Sequence, residues 1–260
     1  MSLTGKTPKD TYKDLLELDN SNSGVDSTSR TIKTGDGSST AISVSDRSCT
    51  VKSQTDNTTA FTVRDSEGTI KLLVDTTNDN IKGLGHIMNT QYAHFGISDE
   101  GLSSAAANTH YPIPFSTFDP DLATDLNFGT GTDPATSWTA ADATATDAGN
   151  IVPMIWYVPD NISIDAVYSI EGGDHASGDT TRMHLFSYDY TSGSSSVLTN
   201  GTLLALNSDV TNAGSEQTYL STWTISSSSV TAGKAILAFW EQDGTNGDYS
   251  VSITVKYHLI

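Results

Sequence analysis

Three copies of one phrase recur at a spacing of 19 residues in the first third of the chain: Thr31-Ile32-Lys33, Thr50-Val51-Lys52 and Thr69-Ile70-Lys71. The match extends beyond the triplet, because Thr40-Ala41-Ile42-Ser43-Val44-Ser45-Asp46 aligns at the same offset with Thr59-Ala60-Phe61-Thr62-Val63-Arg64-Asp65. Each unit reads as a short alternating strand, a turn and a second short strand. A unit of this size cannot bury a hydrophobic face alone. It needs neighbouring repeats or identical chains beside it.

Composition agrees with many short strands. Of 260 residues, 36% are hydrophobic and 17% charged, so the strands have solvated outer faces. Ten Tyr, seven Phe and four Trp argue that a packed core exists nonetheless. The net charge of -18 disfavours binding to nucleic acid or to an anionic membrane, both of which repel it. The lone Cys49 excludes an internal disulfide framework. The opening Met1-Ser2-Leu3-Thr4-Gly5-Lys6 lacks the apolar stretch of a secretion signal, and no apolar run reaches membrane-spanning length. The expectation is a soluble protein made in a cytosol.

Residues 1–23 read as an anchor peptide. Thr7 is placed as a helix N-cap, with Pro8 at the first helical position and Asp10 completing a capping-box-like pattern. Tyr12, Leu15 and Leu16 then share one face at i, i+3, i+4 spacing. Asn20-Ser21-Asn22-Ser23-Gly24 stops the helix. So short a helix is unstable alone, and these three apolar residues are expected to anchor it to a larger partner.

Residues 24–97 read as a β-repeat shaft. Ile42 alternates with Val44 and Phe61 with Val63, while Glu67-Gly68 and Thr77-Asn78-Asp79-Asn80 carry turn chemistry. Ile42, Val44, Phe61, Val63, Leu73 and Val74 are the apolar residues available for contact between chains. The segment Phe61 to Asp75 (Phe-Thr-Val-Arg-Asp-Ser-Glu-Gly-Thr-Ile-Lys-Leu-Leu-Val-Asp) resembles the shaft repeats of bacteriophage fibre proteins. Those repeats run apolar-x-Val-x-Asp-x-x-Gly, then apolar-x-Val-Asp, and close with a Gly, as Ile81-Lys82-Gly83-Leu84-Gly85 does here. The opening from Thr4 to Leu16 is similar to the start of marine phage virion proteins. The resemblance covers roughly residues 4–97. The first repeat departs from it, with Ser48-Cys49 where the second has Glu67-Gly68.

Residues 98–110, small and polar, form a connector, with Ala105-Ala106-Ala107 read as one helical turn. Tyr111-Pro112-Ile113-Pro114 marks a boundary. Residues 111–260 then read as one all-β domain, a jelly-roll-like sandwich. Its strands are expected at 151–158, 163–170, 182–190, 202–206, 217–225, 235–241 and 249–259. Gly172-Gly173-Asp174 and Asn200-Gly201 are among the expected turns. In the last strand, Tyr249, Val251, Ile253, Val255, Tyr257 and Leu259 point one way, and the polar residues between them the other.

Little in the sequence points to chemistry. Asp174-His175-Ala176-Ser177 holds three residue types of a hydrolase triad, but triad members converge from distant parts of a fold. His184 and His258 lie on strands without metal-ligand spacing, and His86, His94 and His110 fall near the connector. Asp243-Gly244-Thr245-Asn246-Gly247-Asp248 lacks the terminal Glu of an EF-hand loop. The expectation is therefore no catalytic residue, no cofactor and no metal. The fibre resemblance implies a homotrimer on the virion surface, assembled in the host bacterial cytoplasm. It would be tied to a phage head or tail protein through its N-terminus. A C-terminal knob would attach to a host-surface glycan or protein, with no nucleic-acid partner and no membrane insertion. A capsid decoration protein and a small glycan-cleaving spike enzyme are the alternatives.

Overall fold

The computed structural model describes residues 16–18, 20–21, 23–98, 102, 105–116, 126–140, 147–174, 177–244 and 248–260. The chain divides into two compact units, residues 1–88 and 89–260, and both are built from antiparallel sheet.

The first unit holds two four-stranded meanders. One is β1 (Leu16–Leu18), β2 (Arg30–Thr34), β3 (Ser39–Val44) and β4 (Cys49–Val51). The other is β5 (Phe61–Arg64), β6 (Ile70–Asp75), β7 (Asn80–Gly83) and β8 (His86–Ile87). The repeated phrase therefore lands on β2, β4 and β6, and the sheet break falls between β4 and β5. The turns are closed by side chains. Asp65 accepts the backbone N–H groups of Glu67 (3.0 Å) and Thr69 (2.8 Å), and Gly68 takes the positive φ of +86° that this turn requires. The first repeat, lacking that Gly, closes differently. Ser45 Oγ accepts from the N–H groups of Arg47 (3.2 Å) and Ser48 (3.1 Å), and no residue of its turn has positive φ.

The second unit is a sandwich. Its five-stranded sheet runs β16 (Gln217–Thr222), β12 (Ile162–Asp174), β20 (Asp248–Leu259), β9 (Thr90–Ile97), with β18 (Ser229–Val230) on β12. Its seven-stranded sheet runs β10 (Tyr111–Ile113), β19 (Lys234–Gln242), β13 (Thr180–Tyr190), β14 (Leu198–Leu206), β17 (Thr224–Ile225). There β11 (Trp156–Tyr157) joins β19, and β15 (Val210–Thr211) joins β13. The chain crosses repeatedly between the sheets, and first and last strands pair, as in a jelly roll. Phe95, Val167, Ile253 and Val255 of one sheet meet Met183, Leu185, Ala238 and Trp240 of the other in the main core. A second cluster, with Phe128, Trp138, Met154, Phe186, Tyr188 and Phe239, covers the far side of the seven-stranded sheet. Buried on both faces, β19 reads as an unbroken apolar run, Ala-Ile-Leu-Ala-Phe-Trp, rather than an alternation.

Three local expectations are corrected. The expected N-terminal helix lies outside the described residues as far as Tyr12 and Leu15. Its end does not, and there Leu16–Leu18 is a strand paired with β2, Leu18 opposite Ile32. Cross-strand pairing at the sheet edge outweighs a weak helical signal. Gly172 and Gly173 lie within β12, because that strand continues between β16 and β20 to Asp174. Asn200-Gly201 is a bulge inside β14, with Asn200 at φ +53°. A Cβ on Gly201 would sit 2.7 Å from the Tyr188 ring and 2.8 Å from Thr136 Cα, so only glycine fits. The structure also gives Thr90–Ile97 to the sandwich rather than the shaft, and buries Leu102 and Ala105 of the expected connector in its core.

One core residue is a carboxylic acid. Glu171 on β12 is 1% exposed and accepts a hydrogen bond from Thr181 Oγ1 at 2.8 Å. Burial raises its pKa to about 7, an effect opposed by the Thr181 and Trp240 side chains. The unfolded chain ionises this group near 4.5, so the folded sandwich loses stability as pH rises between about 4.5 and 7. The loss amounts to roughly 3 kcal/mol at one pK unit per 1.36 kcal/mol. Glu171→Gln is expected to raise the urea midpoint of this unit at pH 8 and to leave it nearly unchanged at pH 4.5.

Candidate functional site

In a pleated sheet, residues directly opposite on neighbouring strands share a face. In the second meander, Phe61 stands opposite Val74, and Val74 opposite Ile81. Val63 stands opposite Leu72, and Leu72 opposite Gly83. One face is thus Phe61, Val63, Leu72, Val74 and Ile81. The other carries Thr62, Leu73, Lys82 and Ile87. The first meander repeats the pattern. Ile42 faces Val51 and Val44 faces Cys49, while Thr31, Ser43 and Thr50 line the reverse side, with Thr31 and Ser43 hydroxyls 3.0 Å apart.

Among the described residues of the unit these apolar faces are only partly covered, with Val44, Leu72 and Val74 half-buried. Ile42 is 40% exposed, Val51 42%, Phe61 39%, Val63 44% and Ile81 48%. Among the described residues of this unit only Asp75 is buried. The described residues of the two sheets thus leave amphipathic faces with much of their apolar side in solvent. Of the residues expected to make contacts between chains, Ile42 and Val44 share one such face, and Phe61, Val63 and Val74 share the other. Leu73 points to the opposite side with Lys82. Leu72 and Ile81, not singled out from the sequence, complete the second face. The run Leu72-Leu73-Val74 conceals which residue points where until its pairing with β5 is known.

The histidines divide between one buried pair and separate contacts elsewhere. His184 meets His110, their rings 5.1 Å apart and perpendicular, while His258 Nδ1 lies 2.9 Å from Asp165 Oδ1. His94 Nδ1 lies 3.1 Å from Thr254 Oγ1. The buried pair ties the 128–133 loop to the sheet, with His110 Nε2 2.9 Å from the Gly131 carbonyl and His184 Nε2 3.4 Å from Asp133 Oδ1. Beside it, Asn108, Thr180, Arg182, Asp209, Glu241 and Asp243 line a polar cavity of about 250 Å³. Arg182 donates both arms of its fork to Asp209, at 2.6 and 2.8 Å, and Asp243 accepts from Thr180 N–H and Oγ1. Arg182, Asp209, Thr180 and Asp243 are therefore spent on one another, whereas Glu241 Oε2, 3.6 Å from His110 Nε2, is buried without a hydrogen-bond partner among the described residues. Among the described residues no group of three or more His, Cys, Asp or Glu is placed to hold a metal ion. The Asp174–Ser177 and Asp243–Asp248 segments fall partly outside the described residues.

Burial lowers the pKa of both histidines, that of His184 to about 3, with the neighbouring His110 and Arg182 adding to the effect. Both are neutral in the folded state. An unfolded histidine takes up its proton near 6.5, so the pair's contribution is intact above that pH and is lost as pH falls below it. Glu171 acts in the opposite sense over part of this window. The Glu171→Gln protein is therefore expected to lose stability steadily from pH 6.5 to pH 4.5 in urea titrations, more steeply than the unaltered chain.

The aromatic residues at the strands of the sandwich divide between core and surface. Tyr188 and Trp240 are buried. Tyr190 is exposed beside Tyr157, rings 6.2 Å apart, and with Val152 and Ile155 they line a shallow apolar groove. Tyr219 donates its hydroxyl proton to Gln217 Oε1.

Neither a family model nor a curated protein matches the chain. Among solved structures, an aminopeptidase from the marine sediment archaeon Thaumarchaeota archaeon is similar at 8% identity and a TM-score of 0.33, over 72% of this chain and 40% of its own. A likeness that faint carries no argument about function.

Proposed function

We propose that the chain is a structural protein of a bacteriophage particle, a homotrimeric fibre or spike whose repeats form a shaft and whose sandwich is a binding knob. One observation carries the reading. Among the described residues of 16–88 the amphipathic sheets bury no apolar side chain, and a repeat of this kind gains its core from identical chains. The resemblance of Phe61–Asp75 to fibre shaft repeats supports the same conclusion. Residues 1–15 would then attach the trimer to a head or tail protein, and the knob would contact the host surface. A decoration protein on the shell shares every one of these features and differs only in where it sits. Gold-labelled antibody to the sandwich, imaged on purified particles, tests the assignment. Label at fibre tips or along tail fibres is expected. Uniform label over the shell favours decoration, and no label on intact particles overturns both readings.

A further inference from the structure

We infer that the outward face of the five-stranded sheet is the surface through which the sandwich meets two further copies of this chain. The inference rests on the trimer proposed above and names the knob's part in it. Ala93, Phe95, Val167, Val251, Ile253 and Val255 turn inward to the core, so the residues between them turn outward. Cross-strand pairing sets these in rows. Tyr168 lies between Thr254 and Thr222, Ile170 lies between Ser252 and Leu220, and Tyr92 lies opposite Lys256. Four large side chains on this face stand in solvent: Leu220 is 73% exposed, Tyr92 59%, Ile170 55% and Tyr168 40%.

Charge identifies the occupant. The chain has 31 carboxylates against 13 basic side chains, so copies of it repel wherever acidic surfaces meet. These rows hold no carboxylate and a single Lys, Lys256, and at their end the acid Asp165 is paired with His258, 2.9 Å away. An acidic ligand or nucleic acid would call for several cations. A face of Tyr, Ile, Leu, Ser and Thr whose one acid, Asp165, is already paired with His258 is one that a second acidic chain can approach with little repulsion. Its small Ser and Thr residues let the large ones seat between them.

Hydroxyl-radical footprinting of the full chain, across concentrations that bracket assembly, tests this directly. Sedimentation of the same samples reports the mass. Labelling of Tyr92 and Tyr168 is expected to fall at least fivefold on assembly, while Tyr157 and Tyr190, exposed elsewhere, change little. Leu220→Glu is expected to restore labelling of Tyr168 to its unassembled level with the fold, read by circular dichroism, intact. Should that variant misfold, the footprint of the unaltered chain decides alone. Assembly with Tyr92 and Tyr168 still fully labelled overturns this face and leaves the trimer standing. A chain monomeric at every concentration overturns both.

Discussion

Leu72→Glu and Leu73→Glu, one residue apart on the same strand, are expected to have consequences of very different size. Leu72 shares its face with Val63, Phe61, Val74 and Ile81, whereas Leu73 shares its face with Thr62 and Lys82. If the apolar face is buried between copies, a carboxylate at position 72 enters a dry contact in each chain at a cost of several kcal/mol. The concentration needed for assembly rises by at least about 100-fold, taking 1.4 kcal/mol per tenfold. At position 73 the new carboxylate meets Lys82, and assembly shifts by less than about fivefold. Sedimentation velocity of the two variants side by side checks this. Equal behaviour would remove the facial argument.

The second large effect concerns the sandwich. β20 lies between β12 and β9, with Val251, Ile253 and Val255 buried in the core. One residue inserted after Val251 turns Ile253, Val255 and Tyr257 to the outward face and brings Ser252 and Thr254 inward. Each large side chain lost from the core removes roughly 1.5–3 kcal/mol, so the summed loss rivals the whole stability of an ordinary domain. The unit is expected to show no cooperative thermal transition. An insertion after Ser194, in the exposed connection between β13 and β14, serves as the control and leaves the transition within a few degrees. A normal melt for the β20 insertion would contradict the register.

These two cases also mark what the sequence makes legible. β20 is readable because a sheet with one wet face and one dry face writes itself as strict alternation. β9 alternates too, with Ala93, Phe95 and Ile97 inward, yet its partner β20 lies at the far end of the chain. Proximity in sequence therefore assigned β9 to the shaft. β19 carries no alternation because both its faces are covered, and only its length and composition mark it. The apolar face of the first unit is half readable. Ile42, Val44, Phe61 and Val63 alternate with polar residues, but Leu72-Leu73-Val74 does not, and a bulge at Val63/Arg64 has to be seen before the face of β6 is known. The pairing of His110 with His184 has no local signal at all, because it joins the entrance to β10 with the middle of β13.

In the function proposed above, the first unit gains its core from other copies of the chain. Sedimentation equilibrium of the full chain at micromolar concentration tests it most directly. The expected result is a particle of about three times 27.6 kDa, with amides of β3, β5, β6 and β7 protected from hydrogen exchange. A particle of 27.6 kDa in which those same amides are protected would show that the sheets stand without partners, and would contradict it.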